Sequence, residues 1–337
     1  MRNFCFINLN LLRENAIKIK NILPKGVKFN AVVKADAYGH GIEMVASTLY
    51  PIVDSYSVSI LEEGIALRNA GIDKEILLLI PPTPDELYRV IEYKITPSCE
   101  SLALIKKLEA IGRKLKRVIN FHLKFDTGMN RLGVKGLEKL DEIINYCKGK
   151  KYIKIVGLFS HYFDTYDKNA ITSASDKFLL AISRVKRYNR DVICHISASG
   201  GFLRGKYFDM VRIGILLYGY KPFRSSKVSV KPIMKLYARV ISSFLLKKGE
   251  HALYGKKVAK STFLISLIRY GYADGLERRE TKGIFNNRCM DISAIKGRKK
   301  GKMLLVKNAD TIAKNQGTIS YEVLVKASLR AEKIYIN

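Results

Sequence analysis

Lys34 is the first reactive side chain that this sequence sets at the end of an apolar run. The stretch Ala31-Val-Val-Lys-Ala-Asp-Ala-Tyr-Gly-His-Gly41 continues an apolar strand, Phe29 to Val33, that stops at the lysine. Beyond it the residues turn polar and glycine-punctuated, the signature of a loop. The amine is thus expected where a buried strand emerges into a mouth. An ammonium partly stripped of water loses preference for its charged form, so its pKa falls, and the neutral amine can attack a carbonyl to form a Schiff base. A solvated strand-end lysine is the plainer alternative on position alone.

Other groups able to do chemistry also close apolar runs. His122-Leu-Lys-Phe-Asp-Thr-Gly-Met-Asn-Arg-Leu-Gly133 carries Lys124 and Arg131, and Ser160-His161 ends a later strand. In His195-Ile-Ser-Ala-Ser-Gly-Gly201 a serine beside glycines offers a hydroxyl and backbone N–H groups to a phosphate. Met210-Val-Arg-Ile-Gly-Ile-Leu-Leu-Tyr-Gly219 buries Arg212 in apolar company. A guanidinium stays protonated and can only donate. Three later segments hold aromatic or sulfur groups beside turns: Arg269-Tyr-Gly-Tyr-Ala-Asp-Gly275, Arg288-Cys-Met-Asp291 and Gly317-Thr-Ile-Ser-Tyr-Glu322.

The elements that must position these groups follow an alternating pattern. Strands are expected at Phe29–Val33, Ser55–Ser59, Ile76–Ile80, Ile95–Ser98, Val118–Phe125, Ile155–Phe159, Val192–Ile196 and Met210–Ile215. Between them lie amphipathic helices such as Leu61–Ala70, closed by Gly71, and Leu102–Ile111, closed by Gly112. Eight strands with helical crossovers argue for a parallel (β/α)8 barrel of the TIM type, with a doubly wound open sheet as the alternative. Near Lys221-Pro-Phe-Arg-Ser-Ser-Lys227 the pattern breaks into a linker. Leu236–Leu246, Thr262–Ile268 and Met303–Val306 then read as antiparallel strands of a mostly β C-terminal domain. The expected domains are 1–225 and 226–337, with residues 1–10 as a strand that can join the second. Barrels build their sites from strand C-terminal ends, where the candidates above fall.

The eleven-residue string around Lys34 resembles the cofactor-binding segment of the alanine racemases, (β/α)8-barrel enzymes that hold pyridoxal 5'-phosphate (PLP) on a lysine, and the similarity runs almost to the C-terminus. It implies that Lys34 carries PLP and that Tyr38, Ser199, Gly214, Ile215 and Tyr321 bind its phosphate. It also implies that Arg131 bonds the phenolic oxygen, that Arg212 faces the pyridine nitrogen, and that His161 joins the arginine network beneath the cofactor. Lys124 matches a lysine that is often carbamylated and pairs with the arginine. Ala198 stands where the family usually has asparagine, and the stretch between Asp274 and Cys289 is shorter than the family's. Racemisation needs a base on each face of the substrate; the resemblance assigns these to Lys34 and Tyr272, the latter from the partner subunit of a homodimer. The His161–Arg212 network is expected to give that tyrosine cationic surroundings. Met290 is a substrate-carboxylate contact, with Arg131 beside it. An arginine at the pyridine nitrogen keeps that nitrogen unprotonated, a poorer electron sink, which restrains transamination and favours plain loss and return of the α-proton.

Composition sets bounds. The chain has 337 residues, 47% of them hydrophobic, enough for a large core. Five scattered cysteines fit a reducing cytoplasm and show no metal spacing. No signal peptide or membrane-length apolar run is seen. The net charge of +30 could mark a nucleic-acid binder, yet the bases are dispersed, and lysines outnumber arginines 40 to 20 where phosphate-reading surfaces lean on arginine. The block Lys296–Lys302, set with two glycines, reads as a solvated turn. The activity that the resemblance implies is interconversion of L- and D-alanine for peptidoglycan precursors, and no metal or membrane is expected. The alternatives are a serine, lysine or broad-specificity racemase on this fold, and a non-enzymatic basic nucleic-acid binder.

Overall fold

The computed structural model describes residues 3–275, 277–278 and 284–337. The chain falls into two compact units: Arg13–Ala35 with Ile42–Val230, and Met1–Leu12 with Asp36–Gly41 and Lys231–Asn337.

After β1 (Phe4–Asn8), the first of these units is built on β2 (Lys28–Val32), β3 (Ser55–Val58), β4 (Glu75–Leu78), β5 (Thr96–Cys99), β6 (Ile119–Lys124), β7 (Ile153–Phe159), β8 (Ile193–His195) and β9 (Met210–Ile213). All eight lie where the sequence places them, within two residues at their starts. They pair in parallel in the order β8-β7-β6-β5-β4-β3-β2-β9. Backbone bonds from Asp209 N to the Cys194 carbonyl (3.0 Å) and from Arg212 N to the Ser197 carbonyl (2.9 Å) join the two ends. These bonds close the sheet into a barrel and exclude the open doubly wound alternative. Its outer shell of helices packs on apolar strand residues such as Phe121, Ile155 and Leu158, with Phe178 and Leu108 above them.

The helix Leu61–Asn69 ends through Gly71 at φ +81, with the Ile72 amide bonded to the Leu67 carbonyl at 3.1 Å. The expected stop at Gly112 is not observed: that helix runs Leu102–Leu115 and is capped by left-handed Lys116. Gly112 serves packing instead, since a Cβ there would lie 2.6 Å from the Tyr152 carbonyl oxygen.

The second unit holds a six-stranded sheet. In it β10 (Met234–Leu246) pairs antiparallel with β11 (Phe263–Ile268), which pairs with β12 (Ser293–Lys296), while β13 (Lys302–Val306) also lies on β10. Strand β1 pairs antiparallel with β10 and parallel with β14 (Glu332–Ile336). The sequence reading missed β12, β14 and the helices Ala309–Gln316 and Ser320–Ala327. These are short elements of four to eight residues.

The segment after Lys34 is not the loop its composition suggests. Residues 34–39 form a helical turn in which Ala35, Asp36, Ala37 and Tyr38 all have φ between +51 and +55, so the turn is left-handed. Left-handed backbone costs an L-residue about 1–2 kcal/mol, so four in a row cost roughly 4–8 kcal/mol. Local bonds offset this. His40 Nδ1 lies 2.9 and 3.0 Å from the Ala37 and Tyr38 carbonyls, which requires the proton on Nδ1. Burial holds the His40 imidazole down to about 4, so it is neutral. Lys333 pairs with Asp36 at 2.8 Å, and Gly39 and Gly41 take positive φ with ease.

Candidate active site

The barrel gathers the reactive side chains of its strand ends. Lys34 is separated from the end of β2 by Val33 alone and is half-buried. The Ala35 amide bonds Glu63 Oε1 at 2.5 Å, and the other oxygen of that carboxylate accepts from Ser59 N at 2.8 Å. Glu63 therefore pins the lysine's backbone to the start of a helix. Burial lowers the Lys34 pKa, the Arg131 charge lowers it further, and Glu63 opposes both.

Lys124, the last residue of β6, is buried, and its Nζ donates to the Leu79 carbonyl at 3.1 Å. Burial, followed by the charges of Arg131 and Arg212, takes its pKa down to about 8. Arg131 stands in a loop that Asp126 shapes by accepting from Gly128 N (2.8 Å) and Asn130 N (3.2 Å).

Arg212 is the most enclosed cation. It donates to His195 Nδ1 at 2.5 Å, to the Ser160 carbonyl at 2.7 Å, and to the His195 and Ile196 carbonyls at 3.1 and 3.3 Å. His161 Nδ1 lies 3.4 Å from its other nitrogen. Burial brings the guanidinium down to about 9, still charged at neutral pH. His161 is held at about 3, first by burial and then by Arg212, Arg131, Lys34 and Lys124. The expected His161–Arg212 network thus exists, with a neutral imidazole, and its positive charge rests on Arg212.

Ser199 opens the short helix Ser199–Leu203, and its hydroxyl accepts from Gly214 N at 3.3 Å. Ser199, Gly214 and Ile215 are therefore neighbours, all buried. The adjoining glycines answer to packing: a Cβ on Gly200 would meet Thr165 Oγ1 at 2.4 Å, and one on Gly201 would meet Ser197 Oγ at 2.6 Å.

The second unit brings the remaining candidates together in two pairs. The rings of Tyr38 and Tyr321 lie 5.9 Å apart. Tyr272 begins a 3-10 turn, Tyr272–Asp274, whose amides reach the 288–291 segment: Tyr272 N bonds the Cys289 carbonyl (3.1 Å) and Ala273 N the Met290 carbonyl (3.0 Å). Gly271 permits this approach, because a Cβ there would overlap the Met290 carbonyl. Tyr272 and Met290 are 37% and 56% exposed. Of the shortened 274–289 stretch, residues 276 and 279–283 lie outside the described residues.

Residues that sequence reading did not assign stand behind Arg212. His195 is fully buried and stacked on Phe159, with ring centroids 5.2 Å apart and planes within 5°. His195 Nε2 lies 2.9 Å from His122 Nδ1. Strand alternation could have found His122, two residues before Lys124 and so on the same inward face.

The cluster has the character of an anion site. Lys34, Lys124, Arg131 and Arg212 act on one another and on His161 with one sign of charge, and Glu63 and Glu100 oppose them at single lysines. With a carbonyl-accepting amine on one side and a serine–amide cradle on another, these residues fit a phosphate-bearing aldehyde cofactor.

Comparison with known proteins bears on what this arrangement is for. Residues 7–222 match the family described as alanine racemase, N-terminal domain, and residues 233–335 match alanine racemase, C-terminal domain. An alanine racemase of Aquifex aeolicus (strain VF5) is 33% identical over 353 residues, 98% of each chain. The solved structure of an alanine racemase from Clostridium difficile 630 superposes with a TM-score of 0.94 at 31% identity, covering 100% of this chain and 96% of that one. A Bartonella henselae alanine racemase, solved with covalently bound pyridoxal phosphate, shares the fold with a TM-score of 0.88 at 24% identity, each chain fully covered.

Proposed function

The chain belongs to the alanine racemase family of PLP-dependent isomerases, and on that premise we propose how its residues share the interconversion of L- and D-alanine. Bound PLP supplies the electron withdrawal that acidifies the substrate's α-proton. Lys34 would hold the cofactor through its amine, and that amine would also move the proton on one face of the substrate. Burial and the Arg131 charge lower its pKa, which raises the share of neutral amine. Tyr272 of the partner subunit moves the proton on the other face.

Arg212 would face the ring nitrogen and give it no proton. Its charge survives burial, and its bonds to three carbonyls and His195 fix its plane. Arg131 would bond the phenolic oxygen and the substrate carboxylate, and Met290 would contact that carboxylate. Ser199, Gly214, Ile215, Tyr38 and Tyr321 take the phosphate, and His161 stays neutral beside Arg212. The observation that carries this reading is the cluster of four cations, Lys34, Lys124, Arg131 and Arg212, at the strand ends around His161.

The homodimer belongs to the same proposal. A catalytic tyrosine and a substrate-contacting methionine as exposed as Tyr272 and Met290 need a second subunit to cover them. Among the described residues no helix is long and apolar enough to cross a membrane. We place the enzyme in the cytoplasm, supplying D-alanine to peptidoglycan precursors.

The test is isotope exchange in deuterated water, read by chiral analysis. The wild type should racemise either enantiomer of alanine. Tyr272→Phe should lose racemisation in both directions, keep PLP, and still exchange the α-proton of one enantiomer faster than that of the other. Equal residual exchange from both would refute the assignment of faces.

A further inference from the structure

Behind Arg212 a line of polar groups runs through the barrel to its opposite end. Arg212 Nη1 can only donate, so His195 Nδ1 must accept, and the His195 proton sits on Nε2. Nε2–H then donates to His122 Nδ1 at 2.9 Å, which places the His122 proton on its own Nε2. That nitrogen is buried with no hydrogen-bond partner, and Glu75 Oε1 lies 3.3 Å from it. Glu75 is the first residue of β4, at the N-terminal end of the barrel, and is partly exposed. Burial raises its carboxyl, but His122, Lys28 and Thr96 together pull it below the usual range, so it is ionised.

The strands make room for this line. His122 is in register with Gly157 of β7, and the imidazole fills the space a side chain there would take. His195, in register with Phe159, is clamped by the stacked ring. Donor-only Arg212 fixes one end of the line and acceptor-only Glu75 the other, and both demand the same proton order.

We propose that Glu75 is a positioning residue for Arg212, acting through His122 and His195. Its carboxylate sets a negative charge 3.3 Å from His122 Nε2, at the end of two hydrogen bonds that run in one direction, and that charge polarises each link in turn. The negative charge makes His195 Nδ1 a better acceptor and holds the buried guanidinium charged and in plane. The proposal rests on reading Arg212 as the cofactor's ring-nitrogen partner.

Nitrogen-15 histidine-labelled holoenzyme tests it by NMR. In Glu75→Gln, an isosteric change at a partly exposed site, the Nε2–H proton resonances of both imidazoles should move upfield, His195 less than His122. Turnover should fall on the order of tenfold, the usual scale for outer-shell partners, with KM nearly constant. In a His122→Phe background, Glu75→Gln should have no further effect on kcat. The proposal is overturned if the His195 resonance stays in place, or if the two substitutions multiply in their effects on kcat. Resonances that move as expected with kcat unchanged would instead count against the role given to Arg212 under the proposed function.

Discussion

Replacing Gly157 by alanine probes the barrel interior where packing and polarity meet. A Cβ at this position would lie 2.3–2.4 Å from three atoms of the His122 imidazole. That ring is fully buried and rigid, so it must move bodily. Overpacking of this kind costs about 1–3 kcal/mol. Moving the ring also parts His122 from His195, leaving a buried donor or acceptor unmatched at about 1–3 kcal/mol more. The sum, roughly 2–6 kcal/mol, should lower the melting temperature by about 5–20 °C for a unit of this size. Gly64→Ala is the control. Its Cβ would come as close, 2.5 Å, but to the terminal methyl of Ile95, which can swing aside. Gly64 is also inside a helix, where alanine is favoured by about 1 kcal/mol. Thermal unfolding of the two variants should therefore diverge, Gly157→Ala falling and Gly64→Ala holding or rising. Equal melting temperatures would refute the picture of an imidazole locked over Gly157.

Two further outcomes follow from the same structure. Lys124 carries a pKa of about 8 in the folded chain against 10.5 as a free side chain, so between those pH values the unfolded chain holds a proton that the folded one has shed. Stability should then rise from pH 8 to 10.5, by about 3 kcal/mol in all. Urea unfolding of PLP-free protein in carbonate-free buffer should find Lys124→Met the more stable at pH 7, with the gain gone by pH 10.5; a pH-independent difference contradicts this. Ala35 is exposed and left-handed, so Ala35→Gly relieves about 1–2 kcal/mol of backbone strain against about 0.5–1 kcal/mol of added chain entropy. It should be neutral to slightly stabilising, and a loss above about 1 kcal/mol would show that the turn is not strained.

Most of what positions the site was legible in the sequence because barrel strands are short apolar runs with functional residues at their ends. Lys34, Lys124, His161 and Ser199 each close or follow such a run, and Arg212 lies within one. The left-handed turn was not legible: Ala35-Asp-Ala-Tyr38 has no glycine to announce positive φ, and of the contacts that stabilise it the Lys333–Asp36 pair comes from a segment distant in sequence. Gly112 misled because a glycine late in a helical pattern looks like a stop, whereas here it allows close contact with Tyr152. The order of protons from Arg212 to Glu75 joins four strands distant in sequence, and no local pattern encodes it.

The account depends most on Lys34 as the residue that holds the cofactor. Borohydride reduction of the PLP-loaded protein, followed by peptide mass mapping, reads this directly. The account predicts that the pyridoxyl adduct lies on Lys34 and that Lys34→Ala takes up no reducible cofactor. An adduct on Lys124 or any other lysine, with Lys34 unmodified, would contradict it.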